Sequence, residues 1–368
     1  MNLDALKDSD CDLLIRHVHK RYARVFAKEK YGEGAKRAIY RYLFSRRPKK
    51  LPPSMKNRLI NLYDPLADRS SRFPDGLRWC LNVYVGCEHN CGYCYVNGYS
   101  QEAVGVSPHA KAKFERKLAG DLDALKSLSV PPAPLHMSNS TDPLQEGLET
   151  ENRHTLLSLQ KVAEHRSRFS SVVILTKNPR LLCAEPYLAI IRSRRMRPFT
   201  VQVSCSFWRE TARLFFEPNA PSVRDRLEAL RVLAENGIDV ELRIDPLFPS
   251  SRIEKEIRLH EPLPFYSIPE AQSQDDIFNL IRFAKELSAK AVIVNTLKVP
   301  VSKSAQCCKD WFGDVYRDAN GGERRTLRGG SWRLPGEYQK ALVSTVSGIC
   351  ALEGIELKHC MHDLLTRS

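Results

Sequence analysis

The pattern of apolar and polar positions changes character once along the chain. Over residues 11–30, Leu14, Val18, Tyr22, Val25 and Phe26 recur at helical spacing, while Arg16, Lys20, Arg24 and Lys28 fall off that stripe. This spacing predicts an amphipathic basic helix. Residues 35–44 (AKRAIYRYLF) predict a second helix. Residues 52–63 (PPSMKNRLINLY) predict a third, with proline at its start. The turn-rich run at 64–77, DPLADRSSRFPDGL, marks a boundary.

Beyond it, short apolar runs alternate with helical periodicity. Strands are predicted at 81–86, 134–140, 171–176, 200–206, 239–245 and 291–296. Helices are predicted near 108–127, near 150–165, from the third strand to about 194, near 222–236 and near 273–288. The helix at 222 has the clearest ends. Ser222 and Asp225 mark its start, Leu227, Leu230 and Leu233 share a face, and Gly237 can end it. Six such units imply a parallel sheet with helices outside, curled by right-handed crossovers into a full or partial barrel. Residues 301–334 read as irregular, and 335–354 as a closing helix with Tyr338, Leu342, Val346 and Ile349 inward. The fold class is therefore α/β, a partial (β/α)6 TIM-like barrel over residues 77–300. A basic helical module (1–76) precedes it and a C-terminal loop and helix (301–368) follow.

Charge adds a partner class to this picture. The formal net charge is +14, and residues 1–60 hold sixteen Lys and Arg against six Asp and Glu. Such a segment attracts polyanions: DNA, RNA or an acidic membrane surface. No apolar run reaches membrane-spanning length, and the N-terminus lacks the apolar core of a signal peptide. The chain thus reads as cytoplasmic, with no membrane association. In a reducing compartment, eleven cysteines point to metal binding or chemistry more than to disulfides.

Three of those cysteines stand together in GCEHNCGYCYVNG, residues 86–98. Cys87, Cys91 and Cys94 follow the first barrel strand directly, at the C-terminal rim where barrel chemistry sits. A structural zinc site takes four ligands, which His89 or a distant cysteine could complete. A [4Fe-4S] cluster held by three cysteines instead leaves one iron open.

The CxxxCxxC spacing after the first strand of a βα barrel resembles the radical S-adenosylmethionine superfamily. The later runs NSTDPLQ (139–145), ILTKN (174–178), VQVSCSF (201–207) and FFEPNAPSVRDRLEALRVLAENGIDVELRIDPLFP (215–249) resemble its spore photoproduct lyase-like branch. The resemblance covers about residues 80–300. It implies that Cys87, Cys91 and Cys94 ligate a [4Fe-4S] cluster whose open iron binds the amino and carboxylate groups of S-adenosylmethionine. An electron, from a donor such as flavodoxin or ferredoxin, would cleave the sulfonium. The resulting 5′-deoxyadenosyl radical would abstract hydrogen from a substrate.

The resemblance also assigns residues. Tyr93 would flank the adenine, Ser140 and Asp142 would meet the cofactor amino group, and Lys177 and Ser204 its carboxylate. Arg243, at the end of the fifth strand, is a further cofactor-binding candidate, and the residues themselves, an Arg with Asp245 two positions on, point to an ion pair at the rim. Tyr95 matches a tyrosine implicated in passing hydrogen, and Asn139 stands where the lyase has a hydrogen-donating cysteine. Asparagine does not donate a hydrogen atom readily, so the chain departs from the family pattern there. Cys307 or Cys308 could replace that donor, and the glycine-rich run 321–332, with Trp332, could cover a phosphate backbone or act as a lid. Together with the basic N-terminal module, the resemblance favours a nucleic-acid base as substrate, for repair or modification. Two alternatives stand beside it: the same radical chemistry on a peptide or small metabolite, and a non-enzymatic zinc-stabilised nucleic-acid binder.

Overall fold

The computed structural model describes residues 58–63, 78–98, 104–126, 132–138, 140–249, 271–300, 316, 331–334 and 336–359. The helices predicted at 11–30 and 35–44 lie outside the described residues, as do Asn139, Cys307, Cys308 and Cys360.

In chain order, β1 (Ile60–Tyr63) and β2 (Arg78–Leu81) lead to a small ribbon, β3 (Tyr84–Val85) with β4 (His109–Ala110). Then come α1 (Phe114–Lys126), β5 (Ala133–Met137), α2 (Glu146–Asn152), α3 (His154–Glu164), β6 (Phe169–Thr176), α4 (Tyr187–Arg192) and β7 (Phe199–Ser204). The chain continues through α5 (Glu210–Phe216), α6 (Val223–Glu235), β8 (Asp239–Leu247), α7 (Gln274–Glu286) and β9 (Ala291–Thr296). A second ribbon, β10 (Val299–Pro300) with β11 (Ser331–Trp332), precedes α8 (Gly336–Glu353) and β12 (Leu357–His359).

Eight strands form one sheet in the order β1-β2-β5-β6-β7-β8-β9-β12. All neighbours from β2 to β12 are parallel, and β1 is antiparallel to β2. The second to sixth predicted strands are thus present, in sequence order, in a mostly parallel sheet, with β2 ahead of them where the first was expected a few residues later. Strand β12 adds one more at the far edge, delivered by the closing helix.

Alternation within the strands explains how the sheet is covered. Val172 and Ile174 of β6, Val201 and Val203 of β7, Val240 and Leu242 of β8, and Val292 and Val294 of β9 point to one face. They are buried in one cluster with Leu118, Leu122, Leu159, Val162, Leu230, Leu233, Leu280 and Ile281 from the helices. Truncating one such core leucine or isoleucine to alanine costs about 2–5 kcal/mol. The intervening positions face the barrel interior and are largely polar.

Helix ends follow their sequence signals. The Ser222 side chain accepts from Asp225 N at 3.0 Å, and Gly237, at φ 70°, follows the end of α6. Ser273 and Asp276 make both bonds of a capping box on α7, at 3.1 and 2.9 Å.

Four expectations need correction. Ile60–Tyr63 is a strand, not the end of a helix, because pairing with β2 and burial of Ile60 outweigh a helical spacing read from few residues. The strand expected at 81–86 is two pieces, β2 and β3, so a short ribbon stands between the sheet and the cysteine loop. The helix expected at 150–165 breaks at Arg153, which adopts φ 51°, ψ 32° and divides α2 from α3. The helix expected up to 194 is a 3-10 turn, Pro179–Cys183, followed by the short α4, with Pro186 between them.

Candidate metal and cofactor site

The cysteine loop is shaped first by its glycine. Gly86 has φ 72°, and a Cβ there would meet Pro108 Cα and Val104 O at 2.9 Å. Only glycine lets the chain turn this close to the 104–108 segment. Cys87 N then donates to Val104 O at 2.8 Å, Gly92 N to Phe216 O at 3.0 Å, and Cys94 N to Cys91 O at 3.0 Å. Glu88 N donates to Gln145 Oε1 at 2.6 Å, and Gly147 N to Glu88 Oε2 at 3.1 Å. Asn219 Nδ2 donates to Glu88 O at 3.1 Å. Three other segments of the barrel, at 104, 145–147 and 216–219, therefore hold the segment that carries Cys87, Cys91 and Cys94.

All three thiols are free. Among the described residues, no three His, Cys, Asp or Glu side chains are placed to hold one metal ion. His89, a candidate fourth zinc ligand, instead lies 3.2 Å from Asp142 Oδ2 through its Nε2. Burial pushes the Cys87 thiol up to about 12, with Asp142 and Cys94 adding to the effect. Burial likewise drives Cys91 well above its usual range, and Glu217, Cys87 and Cys94 oppose its ionisation further. Cys94 is raised by burial. Three thiolates packed this way require a compensating positive centre. The donor set, three sulfurs from one loop, fits an iron–sulfur cluster.

Behind the loop, the strand ends converge on Lys177. Its Nζ, at the end of β6, lies 2.8 Å from Glu217 Oε1, 2.8 Å from Ser204 Oγ and 3.1 Å from Tyr93 OH. The Tyr93 hydroxyl also donates to Glu217 Oε1. On the other side of that carboxylate, Arg226 Nη2 lies 2.5 Å from Glu217 Oε2, and Arg226 Nη1 donates to Ser204 O at 3.1 Å. Glu217 and Arg226 are both 0% exposed. Burial alone would raise the Glu217 carboxyl, but Arg226 and Lys177 outweigh it and hold it at about 2. Lys177 is held above its ordinary value because Glu217 and Cys91 more than offset its burial.

Asp142 forms a second hub. Its Oδ1 accepts from Thr176 Oγ1 at 2.7 Å and Leu144 N at 2.9 Å, and its Oδ2 from Lys177 N at 2.6 Å. Burial opposes its charge, yet His89 and these donors keep the carboxyl below its usual value. Ser138, four residues before it and directly after β5, has φ 67° and a buried Oγ with no hydrogen-bond partner. An orphaned hydroxyl at the rim is the kind of group a polar ligand would satisfy.

The interior face of the sheet carries a chain of polar contacts below this rim. Lys358 Nζ meets Glu241 Oε1 at 2.7 Å, Gln202 Nε2 donates to Glu241 Oε2 at 2.7 Å, and Arg243 Nη1 to Gln202 Oε1 at 2.9 Å. The expected pair of Arg243 with Asp245 forms, at 2.5 Å. His136 faces the interior opposite Cys80, 3.4 Å from Arg78 Nη1. Burial, Arg78 and Arg243 hold its imidazole well below its usual range and therefore neutral.

The structure brings Cys87, Cys91, Cys94, Tyr93, Lys177 and Ser204 together, with Asp142 joined to Lys177 through the backbone. Tyr93 is buried, with edge contacts to Phe207 and Phe248 at centroid distances of 6.4 and 5.4 Å. Tyr95 stands apart at 43% exposure, with Lys298 Nζ 5.5 Å above its ring. Ser140 is held through its backbone N, which donates to Asn82 Oδ1, just after β2, at 3.2 Å. Trp332 is buried on β11 opposite Val299, so its ring is not a surface platform. Cys205 and Cys350 lie in the hydrophobic core.

Glu217 and Arg226 were not singled out from the sequence, although both lie in the E-P-x-A-P-S-x-x-x-R run (217–226). The signal was that run itself: an acid and a base at fixed separation around a helix start. His136, Gln202, Glu241 and Lys358 carried no comparable signal, because a polar residue in a strand is equally at home facing solvent.

No family model matches the chain. An uncharacterized protein of Acidianus two-tailed virus is 26% identical over 202 residues, 49% of this chain and 59% of its own length. An uncharacterized protein of Methanocaldococcus jannaschii is 25% identical over 197 residues, 52% of this chain and 68% of its own length. The chain thus spans less than two thirds of the viral relative. Among solved structures, a double mutant of spore photoproduct lyase with bound AdoMet and dinucleoside spore photoproduct aligns at a TM-score of 0.55 and 14% identity. The alignment covers 77% of this chain and 76% of that one. The lyase complexed with dinucleoside spore photoproduct aligns at 0.54 and 14%, over 80% and 78%. The chain therefore has the partial-barrel fold of spore photoproduct lyase, the radical S-adenosylmethionine enzyme that its motifs resemble.

Proposed function

We propose that the protein is a radical S-adenosylmethionine enzyme that abstracts hydrogen from a base in nucleic acid, for repair or modification. The observation that carries this reading is the cysteine loop: three free thiols at CxxxCxxC spacing, Cys91 buried and Cys87 and Cys94 partly buried, set at the rim of the barrel. Cys87, Cys91 and Cys94 would hold a [4Fe-4S] cluster, with S-adenosylmethionine beside it. The group would supply one-electron cleavage of the sulfonium and, from it, a radical able to take hydrogen from carbon.

This chain's own residues would bind, orient and exclude water. Lys177 and Ser204 offer a cation and a hydroxyl 2.8 Å apart, suited to a carboxylate. Glu217 and Arg226 fix the position of Lys177 from beneath. Asp142 and Ser138 offer a carboxylate and an unpaired hydroxyl, suited to an ammonium group. Tyr93, Phe207 and Phe248 make one wall apolar. The interior network of Gln202, Glu241, Arg243 and Asp245 presents donors and acceptors of the kind that read the edge of a base. The basic N-terminal segment and the fold likeness to an enzyme solved with a dinucleoside support the choice of substrate class. Electrons would come from a flavodoxin- or ferredoxin-type donor.

The test is incubation of the reduced protein with S-adenosylmethionine and DNA or RNA deuterated in its bases. Deuterium recovered in 5′-deoxyadenosine supports the reading. Cofactor cleavage with transfer only from added peptide or metabolite would place the same chemistry on another substrate.

A further inference from the structure

We infer that the N-terminal end of the barrel, opposite the cysteine loop, carries a second surface for the phosphate backbone of nucleic acid. This deepens the nucleic-acid reading above and rests on it. The surface is the segment leading into β7, where residues 192–197 read RSRRMR. Arg192 closes α4, Arg194 and Arg195 lie in the 3-10 turn Arg194–Met196, and Arg197 follows; all four are exposed. Met196 is fully buried, so the turn is anchored by its one apolar side chain and its arginines are left at the surface.

Neighbouring guanidinium groups brace the turn. Arg166, ahead of β6, donates from Nε to Met196 O at 3.1 Å and from Nη2 to Pro198 O at 3.2 Å. Arg197 Nη2 donates to Gly237 O at 3.1 Å. Arg192, Arg194 and Arg195 have no such partner and no ion pair among the described residues. Two acidic side chains at the adjoining strand and helix ends have lysine partners: Glu164 lies 3.0 Å from Lys161 and Asp239 3.5 Å from Lys290. A groove of about 300 Å³, lined by Ile191, Arg197, Pro198, Phe199, Ile238 and Asp239, opens beside the turn.

Three uncompensated guanidinium groups within four residues repel one another, and a polyanion relieves that repulsion. The planar fork of arginine matches a phosphate in two parallel hydrogen bonds. A membrane surface fits less well. Among the described residues the exposed large apolar side chains are Val85, Tyr95, Val106, Leu214 and Leu352, so the turn has none to insert. An acidic protein partner also fits less well, because protein interfaces centre on buried aromatic or aliphatic anchors, which the turn lacks. A six-residue strand such as β7 spans about 20 Å. A dinucleotide held at the rim therefore cannot reach this turn, whereas a polymer can touch both ends.

The experiment uses the full chain and fluorescein-labelled single-stranded DNA and RNA of about thirty nucleotides, with affinity followed by anisotropy from about 50 to 200 mM salt. Replacing Arg192, Arg194 and Arg195 together by Gln should weaken binding about tenfold or more, and should lower the log–log salt slope by about 2, since each lost phosphate contact removes about 0.7. The triple Lys variant should keep most of the slope, and Arg194→Gln alone should lower it by about 0.7. Unchanged affinity and slope in the Gln variants would overturn this inference alone. Absence of binding by the unmodified chain to either polymer would overturn the nucleic-acid reading with it. Competition by poly-glutamate as effective as by the oligonucleotide would assign the turn to an acidic protein and likewise overturn it.

Discussion

The buried Glu217 is the residue on which the rim depends most. It faces two cations, Arg226 at 2.5 Å and Lys177 at 2.8 Å, with no exposure to water. Removing one partner of such a cluster leaves uncompensated charge inside the protein, at a cost of about 3–5 kcal/mol. Glu217→Ala should therefore lower the midpoint of thermal unfolding, measured by circular dichroism, by many degrees. A loss under 1 kcal/mol would contradict the buried arrangement. The same carboxyl makes a pH prediction. Its folded value of about 2 lies below its ordinary 4.5, so its contribution to stability is fully present above about pH 4.5 and is lost as pH falls towards 2. Denaturant titrations at pH 6 and pH 3 should show less acid destabilisation in Glu217→Gln than in the unmodified chain, measured relative to each at pH 6. This cluster was only half legible in the sequence. The three cysteines declare themselves by spacing, and Lys177 by standing at a strand end. A buried acid and its arginine, nine residues apart across a loop and a helix start, look like surface charges until the fold closes on them.

At the scale of elements, the barrel units were legible because they are long and strongly periodic. Strand β9 lies where the apolar run AVIVNT predicts it, and α6 starts at its capping serine. Short elements were not legible. Ile60–Tyr63 takes its strand conformation from pairing with β2, an interaction between segments that periodicity within one segment cannot show. The ribbon of β3 and β4 is similar, since its two residues pair with a segment some twenty-five positions later. That ribbon sets the entry to the cysteine loop through Gly86. Gly86→Ala would combine a left-handed backbone with a Cβ at 2.9 Å from backbone atoms, so it should cost at least about 1–2 kcal/mol. Its first visible effect should be on the loop: iron retained after anaerobic reconstitution should fall. By contrast, Ser273→Ala should remove about 1 kcal/mol of capping from α7 and leave iron content unchanged, because α7 packs on α8, β8 and β9. Equal iron loss in both variants would mean that global stability, not loop geometry, governs metal retention.

At the scale of the whole molecule, the two ends of the barrel differ in chemistry. The rim holds sulfurs and a buried network of paired charges, while the opposite end holds arginines, Arg192, Arg194 and Arg195, that have no ion pair among the described residues. Among the described residues no helix is long and apolar enough to cross a membrane. The central claim concerns the rim: three cysteines hold an iron–sulfur cluster that leaves room for S-adenosylmethionine. The most direct measurement is iron, sulfide and zinc content after anaerobic reconstitution, followed by reduction and incubation with S-adenosylmethionine. The account predicts about four iron and four sulfide per chain and formation of 5′-deoxyadenosine, both abolished when Cys87, Cys91 and Cys94 are replaced by Ala. Stoichiometric zinc without sulfide, or a full cluster that never cleaves the cofactor, would contradict it.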